Sequence, residues 1–275
     1  MAESVPVTSS SAGNHAGDVV GAIPRAEYGR LAVLTTAMPM AVVATCWYLP
    51  PGWNLIGTSA ALTGFLLVLG KAISGVPLAL FISERNLMSL SRFQALVWTV
   101  VVMGGYLTMT LVQVQANGQT AKGVTIPQEL WIAMGISTTS LLGTPLVLGG
   151  KRARSPDEKL VENTSAQLAE APGDIDAHRQ GVLYANAHMT DARMADMFQG
   201  DEVGNTAHID LAKVQMFYFT LIAAMGYFMQ VAMAVMRRET SAMPELSQGM
   251  LALLAISHGG YLLGKAGDHS NSKPA

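Results

Sequence analysis

The chain has 275 residues, of which 50% are hydrophobic and only 13% charged, about half the charge of an average soluble domain. Charge so scarce, gathered between long apolar runs, fits a bilayer, and a formal net charge of −2 offers nucleic acid no basic surface. The single cysteine, Cys46, excludes an intrachain disulfide and a cysteine-based metal cluster.

Residues 1–26 are polar and rich in Ser, Gly and Ala. They lack the apolar core of a cleaved secretion signal and read as a disordered cytosolic tail. Six apolar runs then reach about the 20 residues that a membrane helix needs: 31–49, 56–82, 94–114, 130–149, 214–236 and 248–264. The expected fold is an all-α membrane protein with six transmembrane helices and both termini cytosolic. Its parts are the first two spans with an entry loop (27–93), a hairpin (94–150), a cytosolic connector (151–212), a second hairpin (213–265) and a cytosolic tail (266–275).

Cys46 lies inside the first run and reads as a buried, inert thiol. The second run is too long for one crossing and holds Lys71 and Pro77. Proline favours a kink or a helix end, so the crossing should finish near Gly75-Val76-Pro77, with 78–82 as an interfacial or protein-buried turn. Lys71 would then snorkel to the headgroups. In a straight tilted helix it would instead be buried and need an acidic or carbonyl partner.

Basic residues set the orientation. With both termini inside, Arg25, Arg30, Arg85, Arg92, Lys151, Arg152, Arg154, Lys213, Lys265 and Lys273 are cytosolic, against Lys122, Arg237 and Arg238 outside. Trp47, Tyr48, Trp53 and Trp131 fall at outer ends, where an aromatic belt belongs.

The third run opens with Phe93-Gln94-Ala95-Leu96-Val97-Trp98-Thr99 and the fifth with Val214-Gln215-Met216-Phe217-Tyr218-Phe219-Thr220. An offset of 121 pairs Gln94 with Gln215, Thr99 with Thr220, Gly105 with Gly226 and Tyr106 with Tyr227. The pattern predicts a parallel duplicated helical hairpin, spans 3–4 and 5–6, related by an axis along the membrane normal. Pro127 beside Glu129 and Pro244 beside Glu245 mark the starts of the two second helices.

The connector carries few large apolar side chains and can hardly form an independent core. It should pack on the inner face of the helices or await a cytosolic partner.

Three stretches, Met88-Ser89-Leu90-Ser91-Arg92-Phe93-Gln94, Asp196-Met197-Phe198-Gln199-Gly200-Asp201-Glu202-Val203-Gly204-Asn205 and Gly259-Gly260-Tyr261-Leu262-Leu263-Gly264-Lys265, resemble a pattern in uncharacterised bacterial multi-span inner-membrane proteins. The resemblance covers most of the chain from about Pro77 onward. It implies a bacterial inner-membrane location and carries no activity with it.

Gln94 and Gln215 each open a helix at the cytosolic face, as glue between helices or as amides around a pore or ligand. Ser137 and Thr138 fall midway along the fourth run, and Ser257 and His258 late in the sixth. Small and hydroxyl residues there serve close packing or line a polar path. His258 is the only histidine in a predicted span, as a proton or ion group or as a neutral imidazole bonded to a hydroxyl or carbonyl. Glu84, Arg85 and Arg92 read as a surface network around the loop. Asp196, Phe198, Asp201, Glu202 and Asn205 are the candidates for holding a partner. Asp196, Asp201, Glu202, Asn205, His208 and Asp210 form an acidic, oxygen-rich run of the kind hard cations prefer, but the spacing fits no calcium loop or zinc site.

No catalytic motif, cofactor signature or metal site is visible in the sequence. The partners expected are the lipid bilayer, further copies in a homo-oligomer and a cytosolic protein, with no nucleic acid. Two functions fit: a channel or transport module with the connector as regulator, and a membrane scaffold that holds a partner through residues 151–210.

Overall fold

The computed structural model describes residues 25–168 and 172–274. The expected tail therefore lies outside the described residues up to position 24. Arg25 and Ala26 already belong to the first helix, α1 (Arg25–Tyr48). The other long helices are α2 (Trp53–Ser74), α3 (Leu90–Asn117), α4 (Gln128–Gly149), α7 (Leu211–Arg237) and α8 (Gln248–Ala266). Between α4 and α7 lie two short helices, α5 (Glu158–Leu168) and α6 (Pro172–Ala177). Four two-residue strands, β1 (Arg154–Ser155), β2 (Arg179–Gln180), β3 (Leu183–Tyr184) and β4 (Lys273–Pro274), and four short 3-10 turns complete the described elements.

Of these helices α2, α3, α4 and α7 are long and apolar enough to cross a membrane. Their outward faces carry Leu146, Ile222, Met225 and Met229 exposed, an apolar surface that would be a liability in water and is ordinary against lipid.

α2 ends at Ser74 because Gly75 adopts a left-handed conformation (φ 76°) and donates its N–H to the Lys71 carbonyl. The expected stop near Gly75-Val76-Pro77 agrees with this. Lys71 stands exposed in the last turn, and residues Ala79–Phe81 form one turn of 3-10 helix. The buried Cys46 thiol lies 3.2 Å from Thr58 Oγ1, where α1 packs on α2.

α3 packs against α2, α4 and α7, and α8 packs against α4 and α7. The four helices thus close a ring in the order α3, α4, α8, α7. Gln94 meets Met216 and Thr220 near one end, and Gln113 meets the Thr240 carbonyl near the other, so α3 and α7 run in the same direction. The contacts of Ser140 with His258 and of Thr144 with Tyr261 show the same for α4 and α8.

Like helices are therefore side by side in this ring. A two-fold axis along the bundle would set them diagonally, so the expected axial relation does not hold. The reason lies in what each helix must cover: α3 packs against four long helices, α1, α2, α4 and α7, whereas α7 packs chiefly on α3 and α8.

Burial records the difference. The buried positions Ser91, Gln94, Trp98, Val102, Gly105, Met109 and Gln113 of α3 map onto Lys213, Met216, Thr220, Ala224, Tyr227, Val231 and Val235 of α7. That offset is 122 (213 − 91, and the same for each pair), one residue from the similarity offset of 121. One residue turns a helix by about 100°. Gln94 and Gly105 are buried while Gln215 and Gly226 are exposed, and Thr99 is exposed while Thr220 is buried.

The two hairpin loops join at the end of the ring away from the connector. Thr125 donates its N–H to the Ser241 carbonyl, and its own carbonyl accepts from the Met243 N–H. α4 begins after Pro127 with Glu129 in its first turn, as expected. α8 differs, because Ser247 caps it by accepting from the Met250 N–H at 3.3 Å. Pro244 and Glu245 belong to the preceding loop.

The connector packs on the other end of the ring. Val161, Ile175 and Val203 form a small satellite core with Leu168 and Tyr184. β4 of the C-terminal tail pairs antiparallel with β1 of the connector.

Candidate functional site

The connector end holds a concentration of buried charge. Among the described residues the buried charged side chains are Arg85, Lys151, Lys213, Lys265, Asp201 and Glu202. They converge from separate elements: the loop before α3, the end of α4, the connector, and the facing ends of α7 and α8.

Asp201 is the centre. One carboxylate oxygen lies 2.5 Å from Arg85 Nη2, and the other lies 2.9 Å from Lys213 Nζ and 2.5 Å from Lys265 Nζ. Arg85 also donates to the carbonyls of Tyr184 and Asp201. Burial works against ionising Asp201, but Lys213, Lys265 and Arg85 outweigh it and hold the carboxyl well below its ordinary value. Glu202 takes the fourth cation: Lys151 donates to it and to the Gly267 carbonyl, and the His269 N–H donates to its other oxygen at 2.9 Å.

Local capping puts Lys213 in place. Asp210 accepts from the backbone N–H groups of Ala212 and Lys213 at 3.0 and 3.2 Å, which fixes the first turn of α7. The Lys213 ammonium donates to the Gln199 carbonyl as well.

Four of these charges line one side of a cavity of about 520 Å³ that also reaches up between α3 and α4. Leu90, Leu96, Leu141, Leu142, Pro145 and Leu148 make its apolar walls. Arg85, Asp201, Lys213 and Lys265 form its floor, the half-buried Arg92 and Asp196 lie on its wall, and the exposed Glu84 and Arg152 lie at the rim. Glu84 and Arg152 pair at 2.9 Å across the surface. That bond and the Arg152 charge hold the Glu84 carboxyl below its ordinary value. Arg92 makes no salt bridge among the described residues.

Asp196, half-buried, accepts from the backbone N–H groups of Met88 and Arg193 at 3.2 and 2.8 Å. Burial outweighs those bonds and raises its carboxyl.

The other residues singled out in the sequence lie elsewhere. Phe198 stacks edge-to-face on Phe217 at 5.2 Å, inside the chain's own aromatic cluster. Asn205 accepts the Glu202 N–H at 3.0 Å. Gln94 is fully buried and donates to Thr220 Oγ1 at 2.7 Å and to the Met216 carbonyl at 3.3 Å. Gln215 and Thr138 are exposed. Ser137, Ser257 and His258 are buried, and His258 Nδ1 meets Ser140 Oγ at 2.7 Å. None of Gln94, Gln215, Ser137, Thr138, Ser257 and His258 lines the cavity.

Sequence reasoning missed the ion cluster. It counted Lys151, Lys213 and Lys265 only as orientation signals and placed Arg85 on the surface. One signal was available: isolated cations next to three separate apolar runs, with the acidic pair Asp201-Glu202 between them.

The site thus defines a helical chain compatible with a membrane, bearing a charged cavity at one end. No family model, curated protein or solved structure matches the chain.

Proposed function

We propose that the chain is a six-span integral membrane protein of a bacterial inner membrane that binds a small ligand in the cavity at its cytosolic end. The observation that carries this reading is the cavity itself. Its volume of about 520 Å³ falls within the usual range for small-molecule sites, about 300–1,000 Å³. Apolar walls over a few convergent charged groups are the composition such sites share.

α1 and α8 supply the remaining two spans. Their 24 and 19 residues give about 36 and 28 Å of helix, against a hydrocarbon core of about 30 Å. The excess of basic residues at the connector end supports a cytosolic connector and cytosolic termini.

A transport module is the function this arrangement serves best, with the cavity as its loading site. A channel through Ser137, Thr138, Ser257 and His258 draws less support, because Thr138 faces outward and the other three pack between helices. The scaffold reading loses Asp201, Glu202 and Phe198 as partner contacts, since all three are engaged within the chain.

Two measurements test the proposal. Cys46 is buried, so single cysteines can be introduced over a low background. A membrane-impermeant maleimide should label Lys122→Cys on intact cells and Glu162→Cys only after permeabilisation. Native mass spectrometry of the protein in mild detergent should show a small-molecule adduct that Ala95→Phe, which projects a ring into the cavity, removes. Reversed labelling would overturn the topology, and an adduct indifferent to Ala95→Phe would overturn the site.

A further inference from the structure

We infer that the ligand is an anionic amphiphile, a lipid whose head is a phosphate monoester held on the cavity floor and whose acyl chain lies between α3 and α4. The inference rests on the ligand-binding reading and names the chemistry of its ligand.

Charge balance is the first ground. Four buried cations, Arg85, Lys151, Lys213 and Lys265, share two buried carboxylates, Asp201 and Glu202. Three of those cations, Arg85, Lys213 and Lys265, line the cavity and compete for Asp201 alone, while Lys151 and Glu202 pair with each other outside it. Unpaired charge away from water is costly, and a bound dianion would neutralise the surplus of two. At the rim Glu84 is already committed to Arg152. Burial disfavours the ionised form of Asp196, which makes it a weak competitor for the cations.

The second ground is Arg92, a half-buried guanidinium on the cavity wall that makes no salt bridge among the described residues and feels the Glu84 charge only as a weak, longer-range attraction. Its planar fork matches a phosphate in two-point geometry. The third is the direction of the apolar wall. From Arg92 the lining continues along α3 through Leu96 to Thr99, about 10 Å of helix rise, with Leu141 and Leu142 of α4 opposite. A headgroup alone would leave that wall empty, whereas an acyl chain fills it.

Calorimetry on the full chain in detergent tests this with three probes: oleoyl lysophosphatidic acid, lysophosphatidylcholine with the same chain, and inorganic phosphate. Lysophosphatidic acid should bind at least about tenfold more tightly than either of the others, its second negative charge being the difference from the choline ester and its acyl chain the difference from inorganic phosphate. Arg92→Gln should remove about that tenfold, Arg92→Lys should restore part of it, and neither should move the melting temperature. Equal affinity for the two lipids, with both lost in Ala95→Phe, would overturn the anionic class and leave the cavity reading standing. Inorganic phosphate binding as tightly as the lysolipid would overturn the amphiphile. Failure of all three probes to bind would overturn the inference and weaken the ligand-binding reading beneath it.

Discussion

Asp201→Asn isolates the buried charge cluster. The substitution keeps the side-chain volume and one acceptor oxygen but removes the negative charge. Arg85, Lys213 and Lys265, now at 2.5, 2.9 and 2.5 Å, would be left as three buried cations with no carboxylate between them. Removing one partner of a buried ion pair costs about 3–5 kcal/mol. Asp201 is only 9% exposed, so solvent screens little of that. The amide oxygen recovers one hydrogen bond, and the net loss should be about 3 kcal/mol at pH 7. Equilibrium unfolding in mixed detergent micelles would measure it. Asp176→Asn is the control, because it breaks an exposed pair with Arg179 worth about 0–1 kcal/mol.

The same comparison has a defined pH dependence. The folded carboxyl titrates well below its ordinary value of 3.8, so its contribution is fully present above that value and is lost as pH falls through the folded one. The advantage of the native chain over Asp201→Asn should stay constant from pH 8 to about pH 5 and shrink only below about pH 4. A loss under about 1 kcal/mol, or one no larger than that of Asp176→Asn, would refute the assignment of Asp201 as the keystone of this end.

The ring makes further predictions. Gln94→Leu breaks the bond to Thr220 and should cost about 1 kcal/mol, while Gln215→Leu should be near neutral in the same unfolding assay. Equal costs would show that the two glutamines are structurally equivalent after all. A Cβ on Gly104 would lie 2.9 Å from Ser59 Oγ, so Gly104→Leu should destabilise by about 2 kcal/mol through overpacking. Gly226, with open space around it, should accept leucine. Ser140→Ala leaves the His258 ring nitrogen unpartnered and should cost about 1–2 kcal/mol, read as a lowered melting temperature. Deleting residues 267–275 removes β4 and the His269 N–H that Glu202 accepts. Limited proteolysis should then cut the connector between residues 156 and 180 faster than in the intact chain.

Composition and run length determined that this chain is helical and suited to lipid, since about 20 apolar residues with few charges leave few other folds open. Local signals were equally legible: Gly75 as the stop of α2, Pro127 and Glu129 as the start of α4, Cys46 as a buried thiol. α3 and α7 run the same way, as do α4 and α8, because each hairpin returns to the end where it began and the connector joins those two ends.

Tertiary structure alone decided which faces meet. A side-by-side ring gives α3 and α7 different neighbours, so residues alike in sequence, such as Gln94 and Gln215, part ways in burial. It also decided what the scattered cations do. Arg85, Lys151, Lys213 and Lys265 are each unremarkable near the end of an apolar run. Only folding gathers them around Asp201 and Glu202, because contacts between groups some 50 to 120 residues apart leave no periodicity in the chain to read.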